Sequence, residues 1–190
     1  MIIQYNSTMS PIVFYLAILL ECVVLIGVFT YISSLIYSSF KGSPYVPTKA
    51  KVAEELLAEA NIKKGSQFLE IGCGDGRITR LAVSKFGAKG LGIDINPLLI
   101  WYAKFRTRHL PKDMISFQKK NAFDVSVNTF DTIYLFLMPE LLEKLRTKFE
   151  KEHKQNALFI SHGFKIDAWK KSLIKTLPGK QFSTFYYRLK

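Results

Sequence analysis

The sequence predicts an α/β fold: a mostly parallel sheet with helices on both faces, a C-terminal antiparallel hairpin, and one transmembrane helix in front. Three observations carry that expectation. Between residues 67 and 162, short apolar runs alternate with amphipathic stretches, which is the rhythm of βαβ units. The first of those runs empties into a turn with glycines at 72, 74 and 76. Residues 1–40 contain no Lys or Arg and one acid, Glu21.

The apolar run from Pro11 to Tyr37 has Glu21 as its only charge. At about 1.5 Å per residue it reaches roughly 40 Å, enough to cross a ~30 Å hydrocarbon core with tilt. A cleaved signal peptide needs a basic n-region, a shorter apolar run and a small-residue cleavage site. No basic residue precedes this run, which reads instead as an uncleaved anchor. Lys41, Lys49, Lys51, Lys63 and Lys64 follow it. By the positive-inside rule the N-terminus faces out, giving a single-pass membrane protein with a cytosolic domain. Tyr15, Tyr31 and Tyr37 suit the two interfaces. Glu21 is either a functional intramembrane carboxyl or, more simply, a tolerated protonated carboxyl near the outer half of the span or a helix–helix contact.

All 27 Lys and Arg follow residue 40, against 14 of the 15 acids, and the chain carries a net charge of +12. That bias speaks about partners rather than fold, with an anionic bilayer surface or nucleic acid as the candidates. Apolar residues at 48% exclude a disordered chain. Cys22 and Cys73 make no disulfide framework, and His153 and His162 have no ligand spacing, so no metal site is expected.

The elements follow in order. Residues 1–40 hold the membrane helix (about 11–37), 41–48 form a short linker extended by its prolines and contributing to the site, and 49–190 form the domain. Thr48 can cap a helix through Ala60 with Val52, Leu56 and Leu57 as its apolar stripe. Strands are expected over Gln67–Ile71, Ala88–Ile95, Ile115–Lys119, Thr132–Leu137 and Ala157–His162. Helices are expected over Arg77–Phe86, Pro97–His109 (capped by Asn96) and Pro139–His153. Two short strands, Ser172–Leu177 and Gln181–Leu189, hinge at Pro178-Gly179 as the terminal hairpin.

The most informative segment reads Glu70-Ile-Gly-Cys-Gly-Asp-Gly-Arg77. A dinucleotide fingerprint needs G-x-G-x-x-G, and position 77 is Arg. An acid two residues before the first glycine is the wrong charge beside a pyrophosphate but suits the ammonium of a methionine moiety. Asp94 ends the second strand, 24 positions after Glu70, close to the ~20-residue interval of a ribose-binding acid. Two carboxylates at successive strand ends can hold the two polar ends of one S-adenosyl-L-methionine. The cofactor-binding set so read is Glu70, Gly72, Cys73, Gly74, Gly76, Asp94, Ile95, Asn121 and Ala122. Asn121 is either an adenine neighbour or a turn residue.

These residues resemble class I methyltransferases, and more narrowly the membrane-bound lysine methyltransferase family that modifies the ATP synthase c subunit and the adenine nucleotide translocase. The resemblance covers about Pro44 to Trp169, plus the preceding membrane helix, and rests on PYVP (44–47), EIGCGDGRI (70–78), DINPLLIWYAK (94–104) and YLFLMPELLEKL (134–145), with Phe164 and Trp169 behind them. It implies a Rossmann-like sheet, places Tyr45 and Pro47 near the cofactor and substrate channel, and assigns Glu70, Gly72 and Asp94 to the cofactor. Asn121 stands where the family tends to have Asp, and Ser161-His-Gly163 also departs from its pattern.

Methyl transfer needs an aligned nucleophile and little covalent help. A lysine must first be neutral, which an apolar pocket favours. The segment Tyr134-Leu-Phe-Leu-Met-Pro139 offers such a lip. The expected acceptor-site residues are Tyr45, Tyr134, Phe136, Met138, Pro139, Glu140 and Trp169, with Tyr45 orienting the methyl group or the amine and Glu140 taking a proton or positioning an ammonium; a buried strand would explain part of the same stripe. A membrane-protein lysine is the acceptor this favours. The alternatives are a lipid or quinone, a non-enzymatic membrane scaffold, or RNA. Adenine-methylating enzymes usually carry Asn/Asp-Pro-Pro-aromatic after the fourth strand, where Leu137-Met-Pro-Glu140 stands here, so a nucleic-acid partner is disfavoured.

Overall fold

The structure, a computed structural model, describes residues 10–41 and 46–190. Pro44 and Tyr45 of the linker, and with them the role expected of Tyr45, lie outside the described residues, as does the side chain of Tyr37.

Helix α1 (Pro11–Lys41) is a single rod of 31 residues. Its apolar part, Pro11–Ile36, reaches a mean hydropathy of 2.8 over its most apolar 18 residues and none of it is buried, so it is no core helix. It meets the domain near its C-terminal end. Ser34 Oγ donates to Asn96 Oδ1 at 2.7 Å, and Asn96 Nδ2 donates to the Ser34 carbonyl at 3.1 Å.

Helix α2 (Ala50–Glu59) starts later than expected, with Lys49 rather than Thr48 at its cap and no capping side chain. Thr48 instead gives its carbonyl to Arg77. The buried stripe is Ala53, Leu56 and Leu57, whereas Val52 faces out. The chain then alternates β1 (Gln67–Ile71), α3 (Arg77–Phe86), β2 (Lys89–Asp94), α4 (Pro97–Arg106), β3 (Ile115–Lys119), β4 (Thr132–Leu135), α5 (Pro139–Glu152) and β5 (Leu158–His162). It closes with β6 (Leu173–Leu177) and β7 (Thr184–Arg188). Two 3-10 turns, Ala122–Asp124 and Asp167–Ser172, were not expected. Helix α4 stops before His109 because Thr107 turns its hydroxyl back to the Ala103 carbonyl at 2.9 Å. Strand β4 stops at Leu135 because the chain swings into the cleft described below.

The strands lie in the order β3-β2-β1-β4-β5-β7-β6. The first five are parallel, and β7 is antiparallel to both β5 and β6. The hairpin therefore inserts its second strand against β5 and leaves its first at the edge. Alternation along the strands divides the core. Leu69, Ile71, Ile133 and Leu135 face Leu142, Leu145 and Phe149 of α5. Phe68, Tyr134 and Ile160 face Ala53, Leu56 and Leu57 of α2 with Ile78 and Ala82 of α3. The alternation that buries Phe68 on the α2 side also puts Glu70 there, directly opposite Tyr134 in the β1–β4 register.

Candidate active site

Sheet order reverses at β1 and β4, and such a switch point opens a crevice beyond the carboxyl ends of the strands. The loop after β1 is folded onto β2: the N–H groups of Gly72 and Cys73 both reach the Ile93 carbonyl at 2.9 Å. Gly76 (φ +70°) starts α3, and a Cβ there would stand 2.5 Å from the Phe117 ring, so only glycine lets α3 sit this close to β3.

Glu70 is buried, and its Oε2 accepts from Thr79 N at 2.8 Å and Thr79 Oγ1 at 2.5 Å. Burial pushes its carboxyl up to about 8, the Thr79 hydrogen bonds pull against that, and Asp75 and Asp94 add to the rise. Asp94 is also pushed upward by burial. Its Oδ2 accepts from Gly74 N at 2.9 Å and its Oδ1 from Asn96 N at 2.8 Å. Asn96 caps α4 as expected, its Oδ1 accepting from the Leu98 and Leu99 amides. Asn121 is a turn residue and a cleft residue at once: Oδ1 accepts from Phe123 N at 3.1 Å while the side chain borders the cavity.

The cavity measures about 330 Å³. It brings together Pro47, Glu70, Gly72, Cys73, Gly74, Asp94, Ile95, Asn121, Ala122, Tyr134, Phe136 and Met138. Four expected residues are not in its wall. Gly76 serves helix–strand packing against Phe117. Pro139 and Glu140 have turned away into the first turn of α5, where Glu140 is exposed to solvent. Trp169 is 3% exposed inside the α5-side core, its ring against Phe159 (5.0 Å) and Tyr187 (5.6 Å), its Nε1–H donating to Glu150 at 2.9 Å. It shapes no part of the cleft.

Other residues complete the wall. Phe164 and Phe182 also line the cavity. Phe136 packs edge-on to Phe182 (5.2 Å) and to His162 (4.7 Å). His162 is buried, bonded through Nδ1 to Thr184 Oγ1 at 2.8 Å, and burial lowers it to about 4, leaving it neutral. Phe182 belongs to the hairpin and gives no local sequence signal. His162 ends a strand on the cleft side, a position that alternation along β5 could have flagged. The Tyr134 hydroxyl is buried with the Thr48 side chain as its neighbour, and burial, with Glu70 adding to it, raises its pKa. A cleft with two carboxyls at neighbouring strand ends, the buried Glu70 and the half-buried Asp94, neither ion-paired with a basic side chain among the described residues, fits a cationic ligand.

Fold and cleft together define an S-adenosylmethionine-dependent methyltransferase of the Rossmann-like class. A crystal structure of an RNA methyltransferase from Salinibacter ruber in complex with S-adenosyl-L-homocysteine superposes with a TM-score of 0.70 at 25% identity, over 76% of this chain and 94% of that one. The chain belongs to the family of the ANTKMT methyltransferase domain, whose model matches residues 70–173. A protein-lysine N-methyltransferase of Saccharolobus islandicus (strain REY15A) is 34% identical over 149 residues, 75% of this chain and 91% of that protein. The Homo sapiens lysine N-methyltransferase of the ATP synthase c subunit is 29% identical over 127 residues. These are 66% of this chain and 54% of the human protein, so the chain matches about half of that relative's length.

Proposed function

We propose that the chain methylates the side-chain nitrogen of a lysine in a membrane protein, from a cytosolic domain tethered by α1. The observation that carries this reading is one cavity lined both by carboxyls, Glu70 and Asp94, and by apolar and aromatic side chains, Phe136, Met138, Phe164 and Phe182, with Tyr134 next to Glu70. S-adenosylmethionine bound there supplies an electrophilic methyl group on a sulfonium. Glu70 would hold its ammonium, Asp94 its ribose hydroxyls, and Asn121 with Ala122 would border its base, with Pro47 in the same wall. The aromatic and apolar wall favours an incoming lysine in its neutral form, the form with a free lone pair. The Tyr134 hydroxyl, kept protonated by burial, accepts a hydrogen bond from the amine and turns the lone pair toward the methyl group. Neutral His162 sets no positive charge against the lysine. Proximity and alignment in this slot supply most of the rate. The apolar length of α1, the basic residues after it and the membrane-protein substrate named for the human relative all support a membrane acceptor.

The test is incubation of membranes containing the full chain with methyl-labelled S-adenosylmethionine, followed by separation of protein, lipid and RNA. Label is expected on lysine of a small hydrophobic protein, lost in Asp94→Ala and strongly reduced in Tyr134→Phe. Label confined to lipid or RNA overturns the lysine reading.

A further inference from the structure

We propose that the outward face of α4 is a second membrane contact, lying among the headgroups of an anionic leaflet beside the entry point of α1. The proposal rests on the reading of α1 as a bilayer span and adds to it a fixed face of the domain.

Helix α4 buries Leu99, Ile100 and Ala103 and turns a second apolar stripe to solvent. Trp101 is 66% exposed, Phe105 48%, Tyr102 37% and Leu98 36%. These four recur at i, i+3, i+4 and i+7, so they form one face. The Trp101 and Phe105 rings stack at 5.9 Å with 16° between their planes. A helix of a water-surrounded domain normally presents charge on that side.

The rim is cationic. Arg108 lies over the Phe105 ring at 4.4 Å, and Arg106 lies over the Tyr102 ring at 5.6 Å and donates to the Tyr102 hydroxyl at 2.9 Å. No acid occurs between Asp94 and Asp113, a stretch that also holds Lys104 and Lys112. Aromatic rings edged by Lys and Arg are the composition that partitions into the headgroup boundary. Each basic residue near an anionic leaflet adds about a fivefold preference for it.

Position selects the bilayer over a protein partner. Ser34 sits two residues before Ile36, where the apolar stretch ends, and its two hydrogen bonds go to Asn96, the residue that opens α4. The stripe therefore begins at the height where α1 leaves the hydrocarbon.

The experiment places the full chain in nanodiscs of phosphatidylcholine and phosphatidylserine and reads tryptophan emission. The sequence has two tryptophans, and Trp169 is buried in the core, so the difference between the parent and Trp101→Phe isolates Trp101. That signal is expected to be quenched by lipid brominated near the headgroup end of its acyl chain and protected from acrylamide. Quenching by acrylamide alone overturns the proposal, as does lipid quenching that depends on a second chain or on added RNA. Flotation with vesicles separates the two readings. A chain that floats with Trp101 unquenched sinks the α4 contact and leaves α1 embedded, whereas a chain that does not float sinks both. A Trp101→Glu/Phe105→Glu variant should still bind cofactor and methylate a soluble lysine peptide, yet lose about tenfold or more on a membrane-embedded acceptor through misplacement. Unchanged activity on that acceptor would also overturn the proposal.

Discussion

The Arg77 guanidinium donates through Nη1 to the Thr48 carbonyl at 2.8 Å, tying the segment that enters the domain to the first residue of α3. Its Nη2 meets the Asp75 carboxylate at 3.2 Å, so one side chain links that segment to the glycine loop. Arg77→Met is expected to weaken cofactor binding roughly tenfold, the scale of one lost charged hydrogen bond, with little change in the melting temperature of the cofactor-free protein. Calorimetric titration with S-adenosylmethionine checks this, and unchanged affinity would show that the loop holds its shape without the clamp.

Glu70 links cofactor binding to protons. Burial holds its proton up to about pH 8, against 4.5 in the unfolded chain. Between those values the native state binds more protons, so the stability this group contributes is full below pH 4.5 and is lost as pH rises through about 8. Glu70→Gln should flatten that slope and stabilise the cofactor-free protein in alkaline buffer. A bound ammonium reverses the preference, so cofactor binding near neutral pH should release a proton. Titration in two buffers of different ionisation enthalpy measures it, and absence of release would place the ammonium elsewhere.

His162 acts in the opposite sense. Its ring stays neutral down to about 4, against 6.5 for a free histidine. The unfolded chain takes up that proton first, so stability is lost as pH falls from 6.5 toward 4, by about 3 kcal/mol in full. In His162→Gln that loss should vanish from acid melting curves while the Glu70 contribution stays in both proteins. Parallel curves for parent and variant would mean the native ring is protonated.

Trp169 and Phe182 should separate stability from catalysis. Trp169→Ala removes a ring packed among Phe149, Phe159 and Tyr187 and is expected to cost about 3–5 kcal/mol of folding stability, with kcat per folded molecule unchanged. Phe182→Ala removes a wall of the cleft and should raise KM for the acceptor with little effect on melting. The reverse pattern would return Trp169 to the acceptor site.

Local chemistry made some elements legible to the residue and left others open. The bounds of β1, α3 and β3 follow from sharp signals, with the glycines at 72, 74 and 76 separating β1 from α3. The glycine loop, Asp94 and the lip after β4 were readable because strand ends in a parallel sheet converge on one edge. The place of β7 was not readable, since either strand of a hairpin can pair with β5, and Phe182 arrives with it. Trp169 misled because the 3-10 turn around it carries a non-helical kink at that residue, and the kink aims the ring into the core. Glu140 misled because Pro139 starts α5 at once and directs the next side chain to solvent.

Asn96 accepts from Ser34 through its side chain, and its own amide is held by Asp94, which in turn takes the Gly74 amide. Three consecutive bonds thus run from α1 to the cofactor loop, and they give α1 a rotational phase. An insertion of one residue upstream of Ser34 alters hydrophobic length hardly at all, yet turns the helix by about 100° relative to everything before the insertion. Either the outer part of the helix or the key at Asn96 must then be out of step. The segment is a shaft cut to fit one angular setting, and any neighbour that twists it has a mechanical handle on the cofactor cleft.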